Sequence, residues 1–323
     1  MGNTVSRNES PDWPSTGELH LALAARVQQA FAEAGDRLAE MSTAIMSSEG
    51  RVLSAQPRPQ SSVLVVATCV SAGGTWQQAL WPAVAMDCAM AAADVFDDIA
   101  DGEAAALSDR FGPGGLLIGT AGLLALAGGI VLRGIDDGLP EQTVIDLGRL
   151  LSDELARAAD GQARSLAPRT VTDAVDAYEV AAAKSGPLGS LGARLGARTA
   201  SDDPELLRLY GRFGWHLAVY SQLLNDARDA APSGSVTKGD VRHGRQTVPL
   251  AFTGSAGAPA DLQGRALQEW EARERQRVAV EGGVLAAVAL AQAERLRADE
   301  VLDALAQMGR PVHVLQQLLT GPP

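Results

Sequence analysis

From Thr16 to Thr320 the chain is a succession of segments in which apolar residues recur every three to four positions. In the first, Thr16 to Ser47, the repeat is carried by Leu21, Leu23, Ala24, Val27, Ala30, Phe31 and Ala34. Further helical patterns cover 61–72, 75–100, 114–133, 141–165, 171–196, 203–229, 261–279 and 282–308, with a short one at 312–320. Gly- or Pro-bearing breaks separate many of them, Gly50 to Pro59 reads as a loop, and no stretch alternates as a strand does. Ala and Leu dominate and β-branched runs are rare, which favours helix. The longest break, Ala230 to Arg245, is polar and Gly-rich, and the breaks are too brief for interdomain linkers. The pattern predicts an all-α, single-domain helical bundle over 16–323 behind a disordered tail at 1–15.

The formal net charge of −12 argues against a nucleic-acid partner, because phosphate contacts need a basic surface. An anionic substrate remains compatible with such a chain if metal ions stand between carboxylates and phosphates. Cys69 and Cys88 both lie in apolar helical stretches, so reduced, buried thiols and a cytoplasmic location are expected. The opening MGNTVSRNESPDWP has no apolar signal-peptide core, and its short match to a myristoylation signal is read as coincidence. Gly114 to Leu132 is long and apolar enough to cross a bilayer. Rich in Gly and without an aromatic belt, it is read as a buried central helix, with no transmembrane span expected.

Two acidic motifs stand out from this apolar background. Asp97 and Asp101, in Asp97-Asp98-Ile99-Ala100-Asp101, are four apart and share a helix face; so do Asn225 and Asp229 in Asn225-Asp226-Ala227-Arg228-Asp229. Clustered carboxylates raise each other's pKa unless a cation intervenes, and Mg²⁺ is the hard cation that is commonly shared with substrate phosphates. A charged helix face is usually only solvated. Here, however, each motif ends a core-like segment, WPAVAMDCAMAAADVF before Asp97 and FGWHLAVYSQLL before Asn225. Two buried helices ending in metal-type ligands suggest a cavity with a metal cluster at its mouth. The chain has only two lysines, Lys184 and Lys238, and the latter lies near Asp240, Arg242 and Arg245 in the Gly-rich break. A compact ammonium suits a diphosphate, and such a loop can close over one.

Taken together, from about residue 55 to the C-terminus, these residues resemble the trans-polyprenyl diphosphate synthase family. The resemblance rests on five motifs in order: Asp97-Asp98-x-x-Asp101; Gly161-Gln162; Lys184-Ser185, where the family has Lys-Thr; Gln222 followed by Asn225-Asp226-x-x-Asp229; and Lys238-Gly239-Asp240 with Arg245-Gln246-Thr247-Val248-Pro249. It implies an isoprenoid synthase-type bundle with a central active-site cavity, a homodimer, and a three-ion Mg²⁺ cluster formed with the substrate diphosphate. The metal ligands it implies are Asp97, Asp98, Asp101, Asn225, Asp226 and Asp229. Lys184, Gln222, Lys238 and Arg245 would bind the allylic diphosphate, with Asp97, Asp101, Lys184 and Lys238 the residues on which catalysis rests. Ala89, Ala92, Ala93, Gln162, Tyr178 and Ser185 would line the pocket. Small residues at Ala92 and Ala93 imply a geranylgeranyl-sized or longer chain.

The departures are specific. Where the family carries a Gly-Lys-Arg-x-Arg-Pro stretch, this chain has Ser54-Ala55-Gln56-Pro57-Arg58-Pro59, and in place of an Arg-Arg pair after the first motif it has only Arg110. The lost cations serve the second diphosphate, that of isopentenyl diphosphate; unpaired, it would cost several kcal/mol. The expected activity is therefore Mg²⁺-dependent ionisation of a long allylic diphosphate with prenyl transfer to an acceptor, not routine isopentenyl elongation. The alternative is terpene cyclisation on the same fold, and a non-catalytic subunit of an active synthase is a third reading. Asn225 is cyclase-like, but Asp229 and Ser233 make the motif a hybrid. Cyclases line their pockets with aromatics; Tyr178, Phe213, Trp215 and Tyr220 are candidates in a chain with 4% aromatic residues.

Overall fold

The structure, a computed structural model, describes residues 13–58, 61–167, 173–232 and 239–320, and among them there is no β-strand. The helices are α1 (Thr16–Ala32), α2 (Asp36–Met46), α3 (Ser61–Ser71), α4 (Leu80–Asp101), α5 (Ala105–Phe111), α6 (Pro113–Leu132), α7 (Glu141–Leu166), α8 (Ala174–Ala200), α9 (Pro204–Ala230), α10 (Asp240–His243), α11 (Val248–Thr253), α12 (Gly264–Val280), α13 (Gly283–Gln307) and α14 (His313–Thr320). The all-α expectation holds. The long first segment, however, is two helices. α1 begins at a capping box in which the Ser15 side chain accepts from Glu18 N–H and Glu18 reaches back to the Ser15 backbone. It stops at Glu33, and Gly35 opens α2. The helix expected from residue 75 starts at Leu80. The short α5, α10 and α11 escaped the periodicity, since one or two turns carry too few repeats to register. The tail expected at 1–15 lies, up to residue 12, outside the described residues.

The chain divides into two compact units, Met1–Arg149 with Leu195–Pro204, and Leu150–Arg194 with Glu205–Pro323. In the first, α4 is the centre, packed by α1, α2, α3 and α6. Its first ten residues, Leu80 to Ala89, are buried on every side. Trp81 lies between two guanidiniums, Arg26 at 4.6 Å and Arg133 at 5.3 Å from its ring centre. Those arginines bond Asp137 and Glu33 in turn, which ties α1 to the end of α6. Among the described residues α6 alone is long and apolar enough to cross a membrane. The expected all-round burial is not what it shows. One face, with Leu116, Leu123, Ala127 and Ile130, packs inward; the other exposes Leu117, Ile118 and Leu132 beside small residues. Cys69 and Cys88 are free and buried, as the sequence implied. Burial pushes the Cys69 thiol up to about 12, and Cys88 higher still.

In the second unit α11, α12 and α14 pack around α13 and α10 packs on α12, with α8 and α9 contributing Ala177, Val219, Leu223 and Ala227 to a core that includes Ala287 and Ala291.

One buried charge marks the first unit. Asp87, midway along α4, accepts from the Ser62 N–H at 2.9 Å and so caps the start of α3. Burial pushes its carboxyl up to about 6, against the smaller pull of the Ser62 bonds and of Arg51. A folded-state pKa raised above the unfolded one stabilises below pH 4 and loses that contribution as pH climbs through 6. Ionised Asp87 at pH 7.5 therefore costs roughly 3 kcal/mol. Asp87→Asn keeps the acceptor for Ser62 and should melt with the native protein at pH 4 but above it at pH 7.5. A melting difference that stays constant across pH 4–8 would show that Asp87 does not titrate there.

Candidate functional site

The first acidic motif sits on the last turn of α4. Gly102, at φ 71°, takes the left-handed conformation that ends the helix, and Glu103 N–H returns to the Asp98 carbonyl at 2.7 Å. Asp97, Asp98 and Asp101 thus stand, half-buried, at the negative end of the helix dipole, and the last turn of α4 has no basic residue of its own. Like charges gathered there favour a cation. Asp94, one turn earlier on the same face, was not singled out from sequence; it bonds Arg51 at 3.0 Å. Ala89 and Ala92 are fully buried, and Ala93 is half-buried.

The second motif is built by close helix contacts within the second unit. A Cβ on Gly161 of α7 would lie 2.2 Å from the Ala183 carbonyl oxygen of α8, so α7 touches α8 backbone beside Lys184. Cβ atoms on Gly189 and Gly214 would each lie 2.1 Å from the other's carbonyl oxygen, so α8 and α9 cross nearly backbone to backbone. Across that crossing Ser185 Oγ donates to Gln222 Oε1 at 3.1 Å, and Gln222 Nε2 donates to Asp226 Oδ1 at 2.8 Å. Asp226 is buried, 4% exposed. Burial pushes its carboxyl up to about 7; the Gln222 bond and Lys184 pull it down, while Asp240 and Asp229 push it up.

The structure thus brings together Lys184, Ser185, Gln222 and Asp226, with Asp229 and Asp240 electrostatically in range. The Asn225 side-chain oxygen accepts from Arg228 at 2.9 Å. Arg245 pairs with Asp240 at 3.0 Å. Lys238, Ser233 and Pro59 lie outside the described residues. Gln162 accepts from Ser165 through its backbone oxygen at 2.7 Å. The Tyr178 hydroxyl donates to buried Glu294 at 2.8 Å, and Glu294 also holds His216 Nδ1 at 2.7 Å, so that hydroxyl anchors α13. Phe213 is fully buried as core packing, and Trp215 lies against Gly186. Glu294 carried no sequence signal, because its partners lie 78 and 116 residues away.

Among the described residues no three His, Cys, Asp or Glu side chains converge on one point. Mg²⁺ is commonly held by one or two carboxylates together with substrate phosphates. Each unit by itself offers hard oxygen donors that fit it: acids at a helix C-terminus on α4 in one, and the buried Asp226 carboxyl on α9 in the other.

Gly161→Ala should drive a methyl into backbone and cost roughly 1–3 kcal/mol. Gly148→Ala in the same helix meets nothing within 4 Å and should stabilise by about 0.5–1 kcal/mol. Urea unfolding midpoints read both; equal midpoints would show that the α7–α8 contact is slack.

No protein-family model matches the sequence, and no curated protein is a significant match. The solved structures are informative. A geranylgeranyl pyrophosphate synthase superposes with a TM-score of 0.82 at 14% identity, covering 95% of this chain and 97% of that one. A polyprenyl synthetase from Streptomyces coelicolor A3(2) gives 0.75 at 18%, covering 94% and 96%. A polyprenyl synthase from Caulobacter crescentus CB15, complexed with calcium and isoprenyl diphosphate, gives 0.74 at 18%, covering 94% and 92%. The chain has the all-α fold of the polyprenyl diphosphate synthases.

Proposed function

We propose that this chain is a class I isoprenoid enzyme: with Mg²⁺ it ionises a long allylic prenyl diphosphate, geranylgeranyl-sized or longer, and passes the prenyl group to an acceptor other than isopentenyl diphosphate. The observation that carries the reading is buried Asp226, held by Gln222 beside Lys184, in a chain with this fold. Lys184 donates to the diphosphate oxygens. Ser185 fixes the Gln222 amide, which in turn aims the Asp226 carboxylate. Asp97, Asp98 and Asp101 on α4 would hold Mg²⁺ in one unit, and Asn225, Asp226 and Asp229 on α9 in the other. Bound Mg²⁺ would help neutralise the diphosphate leaving group. The C–O bond then breaks with its electron pair going to the diphosphate, and the allylic cation meets the acceptor. No side-chain nucleophile is required.

Exclusion of isopentenyl diphosphate rests on the cations that the two altered stretches lack, where only Arg58 and Arg110 remain. Arg58 pairs with Glu49 at 2.6 Å and Arg110 with Glu40 at 3.4 Å, so each already faces a carboxylate. The same observation favours the second reading, terpene cyclisation, in which the cation meets its own distal double bond and no second substrate is needed. The enzyme works in the cytoplasm as a homodimer, paired through the exposed apolar face of α6.

Incubation with Mg²⁺ and geranylgeranyl diphosphate alone, alongside shorter and longer homologues, tests the proposal. Diphosphate release with a linear alcohol, lost by at least a hundredfold in Asp97→Ala, supports transfer to an absent acceptor. A cyclic hydrocarbon means a cyclase. No release at any chain length leaves a non-catalytic subunit. For the dimer, sedimentation equilibrium should give twice the chain mass, falling to a monomer in Ile118→Arg; a native monomer would refute the α6 pairing.

A further inference from the structure

The last turn of α9 leaves backbone carbonyls without intrahelical partners. One of them, at Asp229, the final residue of the second acidic motif, accepts from Arg275 Nη1 on α12. A guanidinium there also sets positive charge at the negative end of the α9 dipole. Arg275 is 4% exposed, and its other nitrogen, Nη2, donates to Glu271 Oε1 at 3.2 Å. Glu271, 3% exposed, uses its second oxygen to accept from Arg242 of α10 at 3.1 Å. α10 is the segment that carries Asp240, which lies in electrostatic range of Asp226 and holds Arg245. One buried ion pair on α12 therefore grips both the end of α9 and the start of the 239–247 segment.

We propose that Glu271 and Arg275 are positioning residues: they set the second acidic motif and the Asp240–Arg245 segment at the spacing needed to receive a metal-bound diphosphate. Neither residue touches the substrate. Arg275 acts through the Asp229 backbone and Glu271 through Arg242, whose segment also carries Asp240 and Arg245. The arrangement uses the guanidinium fork, because two acceptors on different elements must be served at once. Lysine has one point charge and serves one of them well. The inference rests on the diphosphate-ionising reading for its ligand, but not for its geometry.

The test uses the full-length protein, inorganic pyrophosphate with Mg²⁺ as the probe, and the variants Arg275→Met, Arg275→Lys and Glu271→Gln. Calorimetry is run below each variant's melting temperature. Arg275→Met and Glu271→Gln should weaken Mg²⁺–pyrophosphate binding by tenfold or more. Arg275→Lys should regain most of the thermal stability and only part of the affinity. Amide exchange should quicken at Arg242–Thr247 in Arg275→Met while the centre of α13, Ala287–Ala298, keeps its protection. Lower melting temperatures with unchanged affinity and unchanged local exchange would mean an ordinary buried ion pair and overturn the proposal. If the native protein binds no Mg²⁺–pyrophosphate, the diphosphate reading fails. The positioning claim is then decided by exchange alone: selective loss of protection at Arg242–Thr247 sustains the grip, and its absence overturns it.

Discussion

The second unit depends on how closely three helices approach. Gly161 admits α7 onto the backbone of α8, and Gly189 with Gly214 admits α9 onto α8. At such separations side chains cannot fill the seam, so the helices have little freedom to slide, and residues beside the contacts inherit fixed positions. Lys184 follows the Ala183 contact directly, and Ser185 faces Gln222 across the α8–α9 crossing. Asp226 then follows from Gln222 by a single helical turn. A polar chain of this kind, buried in an alanine-rich interior, is worth its desolvation only because the backbone positions it without adjustment.

Helix position and burial set the surroundings of the acidic side chains. On α4 the acids occupy the end of a helix whose own dipole disfavours them. Asp226 has its carboxyl lifted to about 7 by burial and by its acidic neighbours. Elsewhere cationic side chains are partnered: Arg26 and Arg133 flank Trp81 in one unit, and Glu271 pairs with Arg275 in the other.

The two acidic motifs were legible because each is local: carboxylates four apart on a helix share a face whatever the remainder of the chain does; the Gly161-Gln162 pair came only from the resemblance to the family. The apolar character of α6 was legible too, but its half-exposure was not, since a stripe of Gly and Ala reads as apolar on every side. The break between α1 and α2 at Gly35 was hidden by an apolar repeat that continues through it in phase. Asn225 illustrates the limit for a single residue. Its oxygen accepts from Arg228 three residues on, a pairing within one helical turn that its residue type alone does not announce.

By itself, the sequence determined the fold class, the order of the long helices and which acidic side chains share a helix face, because helical period and charge spacing act over one or two turns. Only the tertiary structure decided that Asp226 is the buried acid, that Arg58, Arg110 and Arg245 already face carboxylates, and that Arg275 reaches the Asp229 carbonyl from 46 residues away. Those pairings join distant parts of the chain, and their energies depend on burial and on approach distances that arise only when the helices have packed.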